Sequence, residues 1–379
     1  MPHALAELPL ALFAQLEPNI RLDPYTNILL FSVLVVLAVA FVVGRALRRQ
    51  PESTLSPAAV RTFNLRVWTW WLMFLVVVAG LMLGYVATVV LFGLISFWAL
   101  REFITMTPTR RGDHRTLFWT FVIFTPLQYV LVGLGRGYYG VYTIMIPVYA
   151  SLFIPARIAI AGDPKRFLER VAKIQAALLI CVYCLSHAPA ILDLKLTGPD
   201  GEPWVLTRPP PAASPMDEPD GKAEPSTNEA ASSEATPAVG DLGSNASVLF
   251  FFVLIVQVND VFQYMWGQLL GKHVIAPQIN ASRTWEGLIG GVLSTMLLGM
   301  LLSWATPYGL YWAGPIAGAV AFAGFAGSMT MSAIKRDRGV KDYGTLVSGH
   351  AGVLDRIDSL CFAAPVFFHL TRFFFSTMQ

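Results

Sequence analysis

Charge is what this chain has least of. Asp, Glu, Lys and Arg make up 13% of its 379 residues, where a soluble globular domain carries about 25%. With 55% hydrophobic residues and a mean hydropathy of +0.56, the composition excludes a soluble fold and predicts a polytopic membrane protein. The net charge of +3 is too small to point to nucleic acid. Cysteine is scarce as well. Three of them, Cys181, Cys184 and Cys361, exclude a disulfide framework. Cys181 and Cys184 have the spacing of a redox pair, but such a pair needs an exposed, low-pKa thiol. In an apolar run they read as small apolar side chains. The first residues lack a basic stretch and are interrupted by Glu7 and Glu17, so no signal peptide is expected. No internal repeat stands out, which argues against a transporter built from two related halves.

What the chain has in abundance is apolar runs. A spanning helix needs roughly 20 apolar residues. Candidates lie at 27–44, 67–84, 85–103, 116–134, 139–160, 172–191, 246–268, 287–304, 309–331 and 359–375. Residues 67–103 are too long for one span and are split at Gly84 into a tight hairpin. The predicted fold class is therefore all-α, a polytopic helical bundle of about ten transmembrane helices. Basic residues support the alternation. Segments 45–66, 101–115, 157–173, 269–286 and 332–358 hold 21 of the 27 Lys and Arg residues, which puts these loops in the cytoplasm and both termini outside it. Residues 208–245 are dominated by Pro, Ala, Ser and acidic residues. Such a segment cannot bury enough apolar surface to fold alone. It divides an N-terminal region, 1–207, of six expected spans from a C-terminal region, 246–379, of four. Asn245-Ala246-Ser247 and Asn280-Ala281-Ser282 match the glycosylation pattern, but the pattern is short and both are read as chance.

Three polar features cluster in the C-terminal region. Asn259 and Asp260 lie inside an apolar run, where a carboxylate is costly and marks a functional site by default. Asp260, Gln263, Tyr264 and Gly267 share one helical face, and a buried hydrogen-bond site between helices is the plainer reading. Ile279–Gly287 places Arg283, Thr284 and Glu286 just before a helix. Capping accounts for Thr284 and Glu286, whereas Arg283 suits a phosphate. The third feature is Ser332–Asp358, with Lys335, Arg336, Asp337, Arg338, Lys341, Asp342, Asp355, Arg356, Asp358 and His350 between two apolar runs. A loop that only set orientation would need Lys and Arg, not these carboxylates. Basic side chains suit phosphates, and carboxylates suit a divalent metal that bridges phosphates. Asp355 and Asp358 share a face if a helix begins there.

Ser332-x2-Lys335-Arg336-x4-Lys341-Asp342, followed by Gly349-His350-x-Gly352-x2-Asp355-Arg356-x-Asp358, resembles the signature of the phosphatidate cytidylyltransferases, the CDP-diacylglycerol synthases. Asn259-Asp260 resembles that family's intramembrane Asn-Asp, and Ile279–Gly287 its I-S-P-x-K-T-x-E-G element. The resemblance covers 246–379 well and the earlier spans only by hydropathy. Several positions depart from the pattern. Gly327-Ser328 stands where the family has Gly-Asp, the Asp being a metal ligand there. Met331-Ser332 replaces Glu-Ser, Arg283 sits at a Lys position, and Ser348 and Ala351 interrupt Pro-Gly-His-Gly-Gly. These mark a divergent branch.

The resemblance implies an enzyme of the bacterial inner membrane that joins CTP and phosphatidate to give CDP-diacylglycerol and pyrophosphate. It implies Asp355, Asp358 and Asp342 as ligands of Mg²⁺, with room for a second monovalent or divalent cation. Lys341 and His350 join them as catalytic candidates. Lys335, Arg336, Arg356, Arg283, Ser332, Asn259 and Asp260 are the candidate substrate-binding residues. The expected partners are CTP, a lipid phosphate and the membrane, and a homodimer is compatible with the sequence. Transfer to another lipid phosphate, such as a polyprenyl phosphate, and a non-catalytic binder of anionic lipid are the alternative readings.

Overall fold

The computed structural model describes residues 24–47, 57–106, 110–198, 204, 242–339 and 352–376. Among these residues it is a helical protein with one small hairpin. The long helices are α1 (Pro24–Leu47), α2 (Pro57–Leu83), α3 (Tyr85–Thr105), α4 (His114–Gly133), α5 (Arg136–Ile160) and α6 (Phe167–Asp193). After the linker come α7 (Leu242–Leu270), α8 (Trp285–Leu301), α9 (Gly309–Asp337) and α10 (Leu354–Phe375). Eight helices among the described residues are long and apolar enough to cross a membrane. The shorter apolar stretches Trp70–Leu83 and Trp285–Leu301 stand where the sequence predicts two more spans. The protein is thus a polytopic helical membrane protein. The linker expected at 208–245 lies outside the described residues up to position 241, as do Lys341, Asp342 and His350.

Local chemistry explains where helices break and bend. The hairpin between α2 and α3 turns at Gly84, whose φ of 94° lies in the region open to glycine. Within α4, α5 and α6 one turn each is widened, at Trp119–Phe124, Met145–Ala150 and Leu179–Cys184. In α4 the widened turn runs into Pro126, which lacks a backbone donor. The Thr125 hydroxyl donates to the Thr120 carbonyl at 2.8 Å and so supplies a bond of its own. Polar groups inside lipid must be met internally, and a side-chain hydroxyl is one way to do it. Cys181 and Cys361 are buried, Cys184 is half-buried, and all three are unbridged. This agrees with the apolar reading.

The C-terminal helices α7 to α10 pack as one bundle, α7 on α8, α8 on α9 and α9 on α10. Small residues allow the close approach. A Cβ placed on Gly287 would lie 2.7 Å from the Gln263 carbonyl oxygen, and one on Gly327 2.8 Å from that of Asp358. In lipid, helix association depends on such packing because no hydrophobic drive separates helix from tail. The N-terminal helices wrap this bundle: α1 meets α2 and α7, while α3 and α6 lie against α10. A buried ion pair, Arg170 Nε to Asp113 Oδ1 at 2.8 Å, fastens α6 to the start of α4. Asn245 donates to the carbonyls of Leu192 and Leu194 at 3.0 and 2.7 Å. The side chain of this glycosylation-pattern Asn is therefore buried against α6.

Candidate active site

A short antiparallel hairpin sits between α7 and α8. Its strands are β1 (Val274–Ala276) and β2 (Asn280–Thr284), with Val274 opposite Thr284. Thr284 ends β2 and caps α8, its Oγ1 accepting from Gly287 N at 3.1 Å. Glu286 accepts from His273 N and faces His273 Nδ1 at 2.6 Å. Both residues therefore fix the hairpin to the helix, as capping predicts. The result is that Arg283, one residue before the cap, is aimed back across α7.

Arg283 is the hub of the site. Its Nη1 donates to Gln263 Oε1 at 2.7 Å. Its Nη2 donates to Asp260 Oδ1 at 2.9 Å and to Ser328 Oγ at 2.8 Å. Asp260 Oδ2 accepts from Ser359 Oγ at 2.8 Å. Asp260, Arg283, Ser328 and Ser359 thus join α7, β2, α9 and α10 at one point. Next to it, Lys335 Nζ on α9 donates to Asp355 Oδ1 on α10 at 2.8 Å. Asp358 follows one turn later and accepts from Ser359 N at 2.7 Å. Asp355 and Asp358 do share a face, because α10 begins at Leu354.

These residues surround a cavity of about 310 Å³ lined by Asp260, Arg283, Ser328, Asp355, Arg356 and Asp358, with Trp70, Gln257 and Tyr264 toward its apolar side. Of the substrate-binding candidates, Asp260, Arg283 and Arg356 line it. Asn259 does not. It is fully buried, donates to the Ala321 carbonyl at 3.0 Å and accepts from Thr295 Oγ1 at 3.2 Å, which ties α7 to α8 and α9. Ser332 receives a bond from Asn280 Nδ2 at 3.3 Å, and Arg336 Nε donates to the Ile279 carbonyl at 3.1 Å. Both brace the hairpin and neither lines the cavity. Among the described residues no group of three or more His, Cys, Asp or Glu stands ready as a metal cluster. Asp260 and Asp355 each face a basic side chain. The donor set that could take a hard cation is carboxylate oxygen from Asp355 and Asp358, which is the type magnesium prefers.

One residue of the site was not read from the sequence. Glu102, near the end of α3, accepts from the backbone N–H groups of Val353 and Leu354, at 3.0 and 2.8 Å. It caps the helix that carries Asp355 and Asp358 from 250 residues away. An acidic residue inside the expected 85–103 span was the available signal.

The cavity sets guanidinium groups beside carboxylates among the helices of a polytopic membrane protein. The cytidylyltransferase family matches residues 64–374, and the chain belongs to that family, whose members are nucleotidyltransferases. It is 32% identical over 314 residues to the uncharacterized protein YnbB of Escherichia coli (strain K12), covering 82% of this chain and 87% of that protein. It is 38% identical over 120 residues to the phosphatidate cytidylyltransferase of Aquifex aeolicus (strain VF5), covering 32% of this chain and 45% of that one. The phosphatidate cytidylyltransferase of Haemophilus influenzae is 34% identical over 126 residues, with 44% of its length covered. The chain thus spans less than half the length of these two cytidylyltransferases. Helix α1 precedes the stretch matched by the family.

Proposed function

We propose that the protein transfers CMP from CTP to a lipid phosphate, phosphatidate first among them, releasing pyrophosphate and leaving CDP-diacylglycerol in the membrane. The observation that carries this reading is the cavity where Asp260, Arg283, Asp355, Arg356 and Asp358 meet within helices that cross the bilayer. Both substrates are polyanions, and the reaction needs one lipid-phosphate oxygen to attack the α-phosphorus of CTP in line, with pyrophosphate leaving opposite. No covalent enzyme intermediate is required, so catalysis consists of positioning and charge neutralisation. Arg356 and Arg283 are the cavity's guanidinium groups, and their planar forks suit phosphate oxygens. Asp260 and Gln263 hold Arg283 in place, so its direction is set before substrate arrives. Lys335 is held in the same way by Asp355.

Three carboxylates and two guanidinium groups line the cavity, a balance that leaves a polyanion in need of further cations. Asp355 and Asp358 would hold Mg²⁺, which when bound neutralises phosphate charge and orients the oxygens. The sequence pattern assigns Asp342 to the same role and Lys341 to holding phosphate. The site would face the cytoplasm, the source of CTP, in the inner membrane of a bacterium, with residues 246–379 as the catalytic region.

The test is turnover by the purified protein with radiolabelled CTP, a panel of lipid phosphates, and Mg²⁺ or EDTA. A labelled CDP-lipid formed only with Mg²⁺ is expected. Labelled product from a polyprenyl phosphate but not from phosphatidate would move the assignment to that substrate. Retention of lipid with no CTP consumed under any condition would refute the enzyme reading.

A further inference from the structure

A second cavity, of about 340 Å³, adjoins the first. Its walls come from α1, α2, α7 and α8, through residues such as Val33, Phe74, Val253, Leu254 and Leu298. The two cavities share Trp70 and Gln257. Away from that junction the only other hydrogen-bonding side chain is that of Ser32, whose hydroxyl is turned onto the Leu29 carbonyl of its own helix at 2.8 Å. Gln257, at the junction, reaches toward the polar side and the Arg356 carbonyl. A ligand in this groove meets only hydrocarbon.

We propose that this groove takes one acyl chain of the lipid-phosphate substrate and that α1 sets which chain lengths are accepted. The inference rests on the function proposed above. An amphiphile needs a polar compartment for its phosphate and an apolar one for its chain, in contact with each other, and the two cavities meet at Trp70 and Gln257, the apolar one running along α7 from Phe250 to Phe262. Along α7, Asp260 lies about 4.5 Å from the junction residue Gln257 by helical rise, and Phe250, at the far end of the groove, about 10 Å from it in the opposite direction. A phosphate held by Arg283, beside Asp260, therefore has its chain directed past Trp70 and along the groove. Lipid tails are as apolar as the groove, so transfer of a chain from bilayer to groove gains little from the hydrophobic effect. What the groove supplies is shape, and its consequence is selection among chains. Helix α1 forms one wall and lies before the stretch matched by the family model.

Phosphatidate carrying a photoactivatable diazirine in its chain, incubated with the full-length protein in nanodiscs and mapped by mass spectrometry, tests the assignment. Labels are expected on α1, α2 and α7 around Val33, Phe74 and Val253, displaced by unlabelled phosphatidate. Labelling outside the groove, or equal labelling by a diazirine phosphatidylcholine, would overturn the proposal, because the groove would then hold bulk lipid or nothing. Val33→Trp from one wall and Leu298→Trp from another should each lower the rate ratio of dipalmitoyl to dioctanoyl phosphatidate by about tenfold, since overfilling an apolar pocket discriminates on that scale. An unchanged ratio in folded variants would also overturn it. If the wild type converts no lipid phosphate, the proposed function fails, and the photolabelling still decides the groove on its own. If the Trp variants do not fold, the wild-type labelling carries the decision.

Discussion

Glu102→Gln tests whether the cap on α10 sets the catalytic geometry. Glu102, on α3, holds the start of α10 by two backbone hydrogen bonds, at 3.0 and 2.8 Å. Hydrogen bonds to a charged group contribute about 1.5–3 kcal/mol each, and a carboxylate at a helix N-terminus adds about 0.3–1 kcal/mol through the dipole. Glutamine keeps one acceptor and turns an NH2 group toward the other N–H. The expected cost is therefore one charged bond plus the dipole interaction, about 2–4 kcal/mol. This falls on the segment next to Asp355 and Arg356, not on the whole bundle, because the α7–α10 contacts remain. If the first turn of α10 must be in place for transfer, and each 1.4 kcal/mol is a factor of ten, kcat should fall by about 30-fold or more. The assay is CDP-lipid formation over a range of CTP concentrations, with size-exclusion profile and melting temperature recorded for each variant. Loss in kcat with KM for CTP within about threefold is the signature of misplacement, since only transition-state geometry is disturbed. Trp98→Phe removes the exposed Trp98 Nε1 bond to Glu102, 3.1 Å long, keeps an aromatic ring under Arg101, and should stay near wild type. Full activity in folded Glu102→Gln would refute the idea that this cap positions the site.

Three further expectations follow from the same geometry and a fourth from the alternation of basic segments in the sequence. Asp355→Asn removes a charge with little change in shape and should abolish turnover in a folded protein; near-normal rates would remove Asp355 from the metal and phosphate machinery. Asp260→Asn keeps an acceptor for Ser359 but takes the counter-charge from Arg283, so a collapse in activity with unchanged expression is expected, and survival of activity would mark Asp260 as structural. Ser328→Asp puts a carboxylate against the Arg283 guanidinium at a buried position, where a charge-assisted hydrogen bond takes up the new charge, so the Mg²⁺ requirement should stay within about threefold of wild type; a sharp drop in the Mg²⁺ needed for half-maximal rate would show that the new carboxylate binds metal instead. Ser226→Cys should react with an impermeant thiol reagent on intact cells, and reaction only after permeabilisation would invert the topology.

The fold was legible because lipid leaves few options. Each apolar run had to be a helix, and of the glycines at 80, 84 and 93 it is Gly84, near the middle of 67–103, that takes the positive φ of the turn. The C-terminal half of the site was legible too, because a carboxylate such as Asp260 in an apolar run has no cheap explanation. What could not be read was direction. Asn259 and Asp260 are neighbours, yet a 100° step along α7 sends Asn259 into the contact with α8 and α9 and Asp260 into the cavity. Ser332 and Arg336 belong to the same signature as Asp355, but the hairpin lies over them and takes their hydrogen bonds. Glu102 stood out as an acidic residue in an expected span, but its role could not be read. Its partners are backbone N–H groups, which leave no mark in a sequence.

The departures at positions 283 and 328 looked independent in the sequence and are in contact in the structure. A guanidinium at 283 reaches Asp260, Gln263 and Ser328 together, a set of three acceptors in different directions. Lysine has three donors but on a single rotating nitrogen, whereas the arginine fork fixes two of them in a plane. With a fixed positive charge at that point, a second carboxylate at 328 is not needed to complete the network, and a hydroxyl serves as the neutral acceptor. The hydroxyl also leaves the local charge more positive by one than an aspartate would. That difference favours an incoming phosphate at the cost of one potential metal ligand. On the function proposed above, the hydroxyl at 328 would leave phosphate charge on the α7 side of the cavity to the Arg283 guanidinium. The α10 side, with Asp355 and Asp358, keeps the carboxylates that a hard cation requires.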